Sequence, residues 1–214
     1  IAYTFTEPTI FFELAIETAR LAKAQGLKNI FITSGYINEA PQRELAEVLD
    51  AVNVDLKFFR DESYRRVSRV KLKPILDAIR RYRDLGVWVE VTTLVIPGIN
   101  DSDAEFKDIA DFLCDLSPEI PWHLSRFYPA YEVRDVPVTP VARLEHAAAI
   151  GKAAGLRYIY TGNVPGEGGE NTDCPGCGTL LIERYGFYVL SNRVRQGCCP
   201  ACDHPIAGVA MDGG

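Results

Sequence analysis

The sequence predicts a parallel α/β fold, a (β/α) barrel carrying a small four-cysteine ribbon at its C-terminal end. Three observations lead there. Short apolar runs alternate with amphipathic stretches along residues 1–162. Polar groups recur where the predicted strands end, at Thr6–Glu7, Thr33–Ser34, Asp55–Lys57, Arg126 and Asn163. Barrel enzymes build their sites at the carboxyl ends of strands. The tail then abandons the alternation for glycine-rich text and two C-x2-C pairs.

The elements follow in order. IAYTF (1–5) is β-branched and aromatic and reads as a strand. Thr9–Gln25 carries Phe12, Ala15, Ile16, Ala19 and Ala22 at helical spacing and stops before Gly26. NIFIT (29–33) is the next strand, and Asn38–Leu49 the next helix. VNVDLKFF (52–59) puts Asn53, Asp55 and Lys57 on one face and Val54 and Leu56 on the other. Lys73–Leu85 is a helix stopping before Gly86, and VWVEVTTLVI (87–96) a strand. VIPGINDSDAE (95–105) reads as a turn into the helix Ser102–Leu116, with Ser102 as cap and Glu105 three residues on. PWHLSRFY (121–128), the helix Thr139–Ala154 with Thr139 as cap and Pro140 in its first turn, and RYIYTG (157–162) complete the alternation. An open doubly wound sheet fits the same alternation. The inward polar residues favour the barrel, since strands buried on both faces are apolar nearly throughout. The barrel is expected over 1–162, a glycine-rich connector over 163–172 and the ribbon over 173–214.

Apolar residues at 47% and charged residues at 24% fit a soluble globular protein. The net charge of −6 is spread along the chain, which argues against a nucleic-acid footprint. No apolar run is long enough to cross a bilayer. Five of the six cysteines lie between Cys174 and Cys202, which points to metal in a reducing compartment, so a cytoplasmic location is expected. Cys174-Pro-Gly-Cys177 and Cys199-Pro-Ala-Cys202, twenty-one residues apart, predict a closed set of four thiolates for zinc or a single iron. Cys198 is a spare thiol, and His204 is expected on the surface.

Several polar residues admit two readings. Glu7 before Pro8 is either a helix-start carboxylate or an acceptor for a ligand's ammonium group. Asp55 and Lys57 are an internal ion pair or ligand contacts at the barrel mouth. His123 reads as structural, while Arg126 and Tyr128 face the way Leu124 does. An inward lysine in a dry site also suits a Schiff-base lyase built on Lys57. A third reading makes the ribbon a docking module on a barrel scaffold, with Tyr185, Phe187 and Tyr188 packing its hairpin.

Seven stretches, in chain order, carry a family resemblance: AYTFTEPTIF, NIFITSGYI, NVDLKFF, VWVEVTTLVIPGINDS, PWHLSRFYPAY, YIYTGNVPGEGGENTDCPGCG and the closing CPAC. Together they resemble the radical S-adenosylmethionine (SAM) superfamily, in the branch related to pyruvate formate-lyase-activating enzymes. Within that branch they resemble the AmmeMemoRadiSam system radical SAM enzymes. The resemblance implies a partial (β/α) TIM-like barrel, a [4Fe-4S] cluster, SAM, an electron donor, and hydrogen-atom abstraction by a 5′-deoxyadenosyl radical. It implies that Thr6, Glu7 and Pro8 take SAM's amino group, with Thr6 where a Gly is common. It places Lys57, beside Asp55, near the carboxylate and Thr33 and Ser34 near the ribose or a cation. Leu94 and the 95–98 turn would lie against adenine, and Tyr128 stands where relatives often have His. The substrate would be a small molecule or a partner protein. The family's C-x3-C-x2-C motif is absent, so the resemblance implies that the first β/α unit, with the cluster ligands, lies upstream of residue 1 and that this chain alone does not cleave SAM.

Overall fold

The computed structural model describes residues 1–131, 133–164, 168–186 and 188–211. Residues 165–167 of the expected glycine-rich connector and Phe187 of the hairpin lie outside the described residues. Six parallel strands follow one another in sequential order, with a separate three-stranded antiparallel sheet in the tail. The chain forms two compact units, Ile1–Thr93 and Leu94–Gly214.

The first unit runs β1 (Ala2–Tyr3), a 3-10 turn (Pro8–Phe11), α1 (Phe12–Ala24), β2 (Ile30–Thr33), α2 (Glu39–Ala46) and β3 (Ala51–Asp55). Then come α3 (Asp61–Ser63), a π-helical turn (Tyr64–Ser68), α4 (Leu72–Asp84) and β4 (Trp88–Val95), whose last two residues open the second unit. Register is parallel throughout, with Tyr3 opposite Phe31, Ile32 opposite Asn53 and Asp55 opposite Thr92. The period of two explains which face is buried. In β4, Val89, Val91, Thr93 and Val95 are buried while Trp88, Glu90, Thr92 and Leu94 are half-exposed. β3 alternates likewise, Val54 and Leu56 buried and Asn53, Asp55 and Lys57 half-exposed. The helices supply the complementary apolar stripes: Ala15, Ile16, Ala19 and Ala22 from α1, and Ile75, Ala78, Ile79 and Tyr82 from α4. Asn29, fully buried, stitches the floor. Its amide donates to the carbonyls of Ala19 (2.9 Å) and Val48 (3.1 Å) and accepts from the Tyr3 hydroxyl (3.1 Å).

The second unit contains α5 (Asp103–Leu116), β5 (Trp122–Arg126), α6 (Val141–Ala154), β6 (Ile159–Gly162), β7 (Thr172–Asp173), β8 (Leu180–Tyr185) and β9 (Tyr188–Asn192). Ser102 caps α5 as expected, its hydroxyl accepting from the Glu105 N–H at 3.2 Å. Gly151 lets α6 approach β5 and β6, because a Cβ there would lie 2.7 Å from Ile159 Cδ1. The tail has its own small core of Cys174, Leu181, Ile182, Val194, Cys199 and Ile206, joined by Tyr158 from the approach to β6.

Three expected elements change. β1 ends at Tyr3 rather than at residue 5, because Phe5 and Thr6 take left-handed backbone, φ 63° and 59°. β3 ends at Asp55 rather than at residue 59. Thr139 does not cap α6, whose N-cap is Pro140. Its buried hydroxyl instead donates to the Val95 carbonyl (2.6 Å) and accepts from the Phe127 N–H (3.1 Å).

Candidate functional site

In the first unit a cavity of about 320 Å³ opens at the carboxyl ends of β1, β2 and β3. Glu7, Thr33, Ser34, Asp55 and Lys57 line it, together with Thr6. Glu7 stands at the start of the 3-10 turn, where Pro8 fixes the entry. Its Oε1 accepts from Thr33 Oγ1 at 2.6 Å and from the Thr9 N–H at 3.3 Å, and its Oε2 accepts from the Ser34 N–H at 2.7 Å. Burial alone would raise the Glu7 pKa, but the donors from Ser34, Thr33 and Thr9 outweigh it and hold the carboxyl below its usual range. Glu7 is thus a fixed anion that ties the end of β1 to the end of β2. Thr33, itself buried, also accepts from the Gly35 N–H at 3.1 Å. Gly35 has φ 75°, and a Cβ there would meet Val54 Cγ1 at 2.7 Å, so this turn needs glycine on two counts.

Asp55 and Lys57, two apart on the same face of β3, form an ion pair of 2.9 Å with both side chains about 40% exposed. The Lys57 N–H donates to the Tyr64 hydroxyl at 2.9 Å, which sets the chain's direction as it leaves the strand. The cavity wall therefore carries two carboxylates and one ammonium in reach of solvent. That pattern complements a zwitterionic amino-acid group, with anions for its ammonium and a cation for its carboxylate.

Leu94 and Tyr128 belong to the second unit. Leu94 is half-exposed on β4, and the turn after it is pinned by buried Asn100, whose amide donates to the Leu94 carbonyl (2.8 Å) and accepts from the Ile96 N–H (2.7 Å). Tyr128 lies just past β5, 47% exposed, with its hydroxyl donating to the Asn163 carbonyl at 3.1 Å. The Arg126 guanidinium stands over its ring at 5.2 Å from the centroid. His123 stacks on Tyr160 with centroids 5.1 Å apart.

The four predicted ligand sulfurs converge. Cys174, Cys177, Cys199 and Cys202 place their sulfurs within 4.8 Å of one another, at 3.6 Å for Cys174–Cys202 and 3.7 Å for Cys177–Cys199. A zinc–sulfur bond of about 2.3 Å puts the corners of a tetrahedron roughly 3.8 Å apart, so the set fits a four-thiolate ion. Backbone N–H groups of Gly176 and Ala201 point at Cys174 and Cys199, each at 3.4 Å. The Thr179 hydroxyl and backbone bring the Cys177 thiol down to about 6. Cys202 moves the other way, to about 12: the backbone donor from His204 favours its thiolate, but the neighbouring Cys177 sulfur and burial prevail. Four thiolates so close need a cation to coexist. His204 is more enclosed than expected, with a buried, unpaired Nε2 and its ring against Gly176. Tyr185 and Tyr188 do not pack the hairpin; they are 57% and 74% exposed.

Sequence reasoning missed the buried partners. Thr33's double hydrogen bond, Asn29's stitching and the Tyr64 anchor involve residues far apart in sequence, with no local pattern to announce them. The seam at Thr33–Ser34–Gly35 did carry a signal, since glycine after two hydroxyl residues at a strand end marks a turn that wants a partner.

A six-stranded parallel sheet, with four cysteines clustered near the C-terminus, defines an α/β protein of the (β/α) type. The chain belongs to the radical SAM superfamily, whose family model matches residues 1–113. It is 43% identical over 209 residues to an uncharacterised protein of Methanocaldococcus jannaschii, covering 96% of this chain and 62% of that protein. It is 28% identical over 122 residues to the isethionate sulfite-lyase activating enzyme of Oleidesulfovibrio alaskensis, covering 55% of this chain and 40% of that enzyme. In fold it resembles a domain of the pyruvate formate-lyase-activating enzyme of Bacteroides vulgatus, with a TM-score of 0.66 at 20% identity over 76% of this chain and 98% of that domain. The chain therefore spans less than two thirds of the length of either curated relative. Among the described residues no helix is long and apolar enough to cross a membrane.

Proposed function

We propose that the protein is a radical SAM enzyme of the AmmeMemoRadiSam type, acting in the cytoplasm with an electron donor, on a small molecule or a partner protein. The observation that carries this reading is the cavity where the fixed Glu7 carboxylate meets the Asp55–Lys57 pair. Glu7 and Asp55 take the ammonium of SAM's methionine part, and Lys57 takes its carboxylate. Thr33 and Ser34 hold Glu7 in place.

A [4Fe-4S] cluster, when bound, supplies the electron that cleaves the sulfonium to methionine and a 5′-deoxyadenosyl radical. The first unit contains no cysteine, so its residues fit SAM and not the cluster. We place the cluster ligands on a β/α unit outside residues 1–214. Support comes from β1, whose one sheet neighbour among the described residues is β2. Phe5, Ile10 and Leu14, all within the first fourteen residues, are 89%, 77% and 69% exposed, large apolar side chains suited to cover by a further unit. The tail is proposed to hold a structural zinc. Its thiolates leave no position open for chemistry, and iron would declare itself by thiolate charge-transfer colour. The Schiff-base reading loses ground because Lys57 is tied into an ion pair with Asp55.

The test is equilibrium SAM binding to residues 1–214 by calorimetry, beside anaerobic deoxyadenosine formation by the complete gene product. SAM is expected to bind the wild type and to bind K57Q and E7Q at least about tenfold more weakly, the loss of one charge-assisted contact. Equal binding by all three proteins, or no deoxyadenosine from the complete product, defeats the reading.

A further inference from the structure

The segment that leaves the cavity carries a second, cationic surface. After Lys57 the chain crosses Phe58–Arg60, α3 and the π-helical turn, then reaches α4 at Leu72. Both ends are anchored. The buried Tyr64 hydroxyl holds the Lys57 N–H, and Phe58 packs edge-on against the Tyr64 ring at 5.3 Å. Asp61 closes the far end, accepting from the Leu72 N–H at 3.0 Å and pairing with Arg65 at 2.5 Å. Two uncommon backbone features lie between these anchors, the π turn itself and Arg69 at φ 57°.

On this fixed scaffold Arg66, Arg69 and Lys71 are exposed, and none forms a salt bridge to a described carboxylate. Most cations elsewhere on the first unit are matched: Arg20 with Glu17 and Glu44, Arg43 with Glu39, Lys28 with Asp50, Lys73 with Asp77. Lys71 feels the charge of Asp61 without pairing with it, and Arg66 and Arg69 have no carboxylate partner among the described residues, so these three cations within six residues stand out in a chain of net charge −6. Holding like charges together on a strained turn is a cost that Asp61, already paired with Arg65, offsets only in part. Val67, 51% exposed, adds an apolar contact in their midst.

We propose that this rim docks an acidic polypeptide segment of the substrate or its carrier, delivering it to the adjoining cavity. The proposal rests on the reading of that cavity as the reaction site. A polypeptide suits the surface better than nucleic acid. Two of the segment's three aromatic rings, Phe58 and Tyr64, are buried and Phe59 is half-buried, which leaves no row of open rings for stacked bases, and the molecule's overall negative charge opposes a long polyanion.

Fluorescence anisotropy with the complete gene product tests it, using a short labelled Glu/Ser peptide, a Lys/Ser peptide and a single-stranded oligonucleotide of equal length. The Glu/Ser peptide is expected to bind in a salt-sensitive way. Binding should fall at least about tenfold in R66Q/R69Q/K71Q and survive in R66K/R69K/K71R. R66Q/K71Q, which leaves the left-handed residue untouched, should show part of the same loss if the triple variant folds poorly. Tighter binding of the oligonucleotide, displacement by equimolar inorganic phosphate, or equal peptide binding by wild type and R66Q/R69Q/K71Q overturns the proposal. Peptide binding needs no SAM, and SAM cleavage without substrate should be unchanged in R66Q/R69Q/K71Q, so failure here is distinct from failure of the SAM reading.

Discussion

Glu7 shows how one carboxylate can tie two strand ends together. Its donors lower the folded pKa below the usual glutamate value of 4.5. The unfolded chain then takes up its proton first as pH falls. The stability Glu7 contributes is present above 4.5 and is lost as pH drops through the folded value. Urea midpoints from neutral to acid pH should fall more steeply for the wild type than for E7Q, which starts about 1–2 kcal/mol less stable at neutral pH. Thr6 next door carries a different cost. At φ 59° a residue with a Cβ loses roughly 1 kcal/mol to sterics, partly offset by the extra freedom glycine would have in the unfolded chain. T6G should therefore gain about 0.5 kcal/mol, and a lower melting midpoint would contradict the strain. Tyr82 is the third case. Its buried hydroxyl has no partner among the described residues, and burial, then the Glu7 charge, pushes its pKa up. Y82F should be neutral or stabilising by about 1 kcal/mol in thermal denaturation, since it removes an unpaired buried group.

At the scale of elements, what could be foreseen depended on whether the cause was local. The helices α1, α4 and α5 were legible because their apolar spacing and stops, at Gly26 and Gly86, or their cap, at Ser102, lie within each segment. The alternation in β3 likewise announced a polar face. The ends of β1 and β3 were not legible. Phe5 is β-branch-poor but aromatic and reads as strand, yet the chain must turn there to bring Glu7 to Thr33 and Ser34. Phe58 reads as strand too, but it leaves the sheet to pack on Tyr64. The turn over 61–68 was missed because Arg65, Arg66 and Val67 are all exposed and leave no apolar period to see. The β2–α2 turn gives the sharpest test of an element. G35A meets both a left-handed backbone and the Val54 methyl, so it should lose about 2–3 kcal/mol in urea unfolding. It should also weaken SAM binding by displacing Ser34, whereas an unaltered midpoint would mean that the turn relaxes freely.

Across the whole molecule the two chemistries are kept apart along the chain. The charged cavity is built from residues before Asp61, and every cysteine comes after Asn100. The tail's apolar core is small, seven buried residues of which two are ligand cysteines. A core of that size does not sustain a fold unaided, so an ion held by the four cysteines would supply much of its stability. Tyr158 extends the consequence beyond the tail, because it packs in this core and its hydroxyl accepts from the Ala207 N–H at 3.1 Å, while its own backbone carbonyl accepts from the Trp122 N–H at 3.0 Å at the head of β5. Metal loss should then loosen the start of β5 and β6 as well as the hairpin. Chelation at neutral pH is expected to expose the four ligand thiols to Ellman's reagent and to lower the melting midpoint. It should also speed amide exchange at Trp122, the residue whose N–H is tied to Tyr158. Y158F keeps the ring but removes the tie to Ala207, so it should reproduce a small part of that loss, about 1 kcal/mol, with the metal still bound. Unchanged exchange at Trp122 after complete metal removal would show that the tail's core and the strand stand independently.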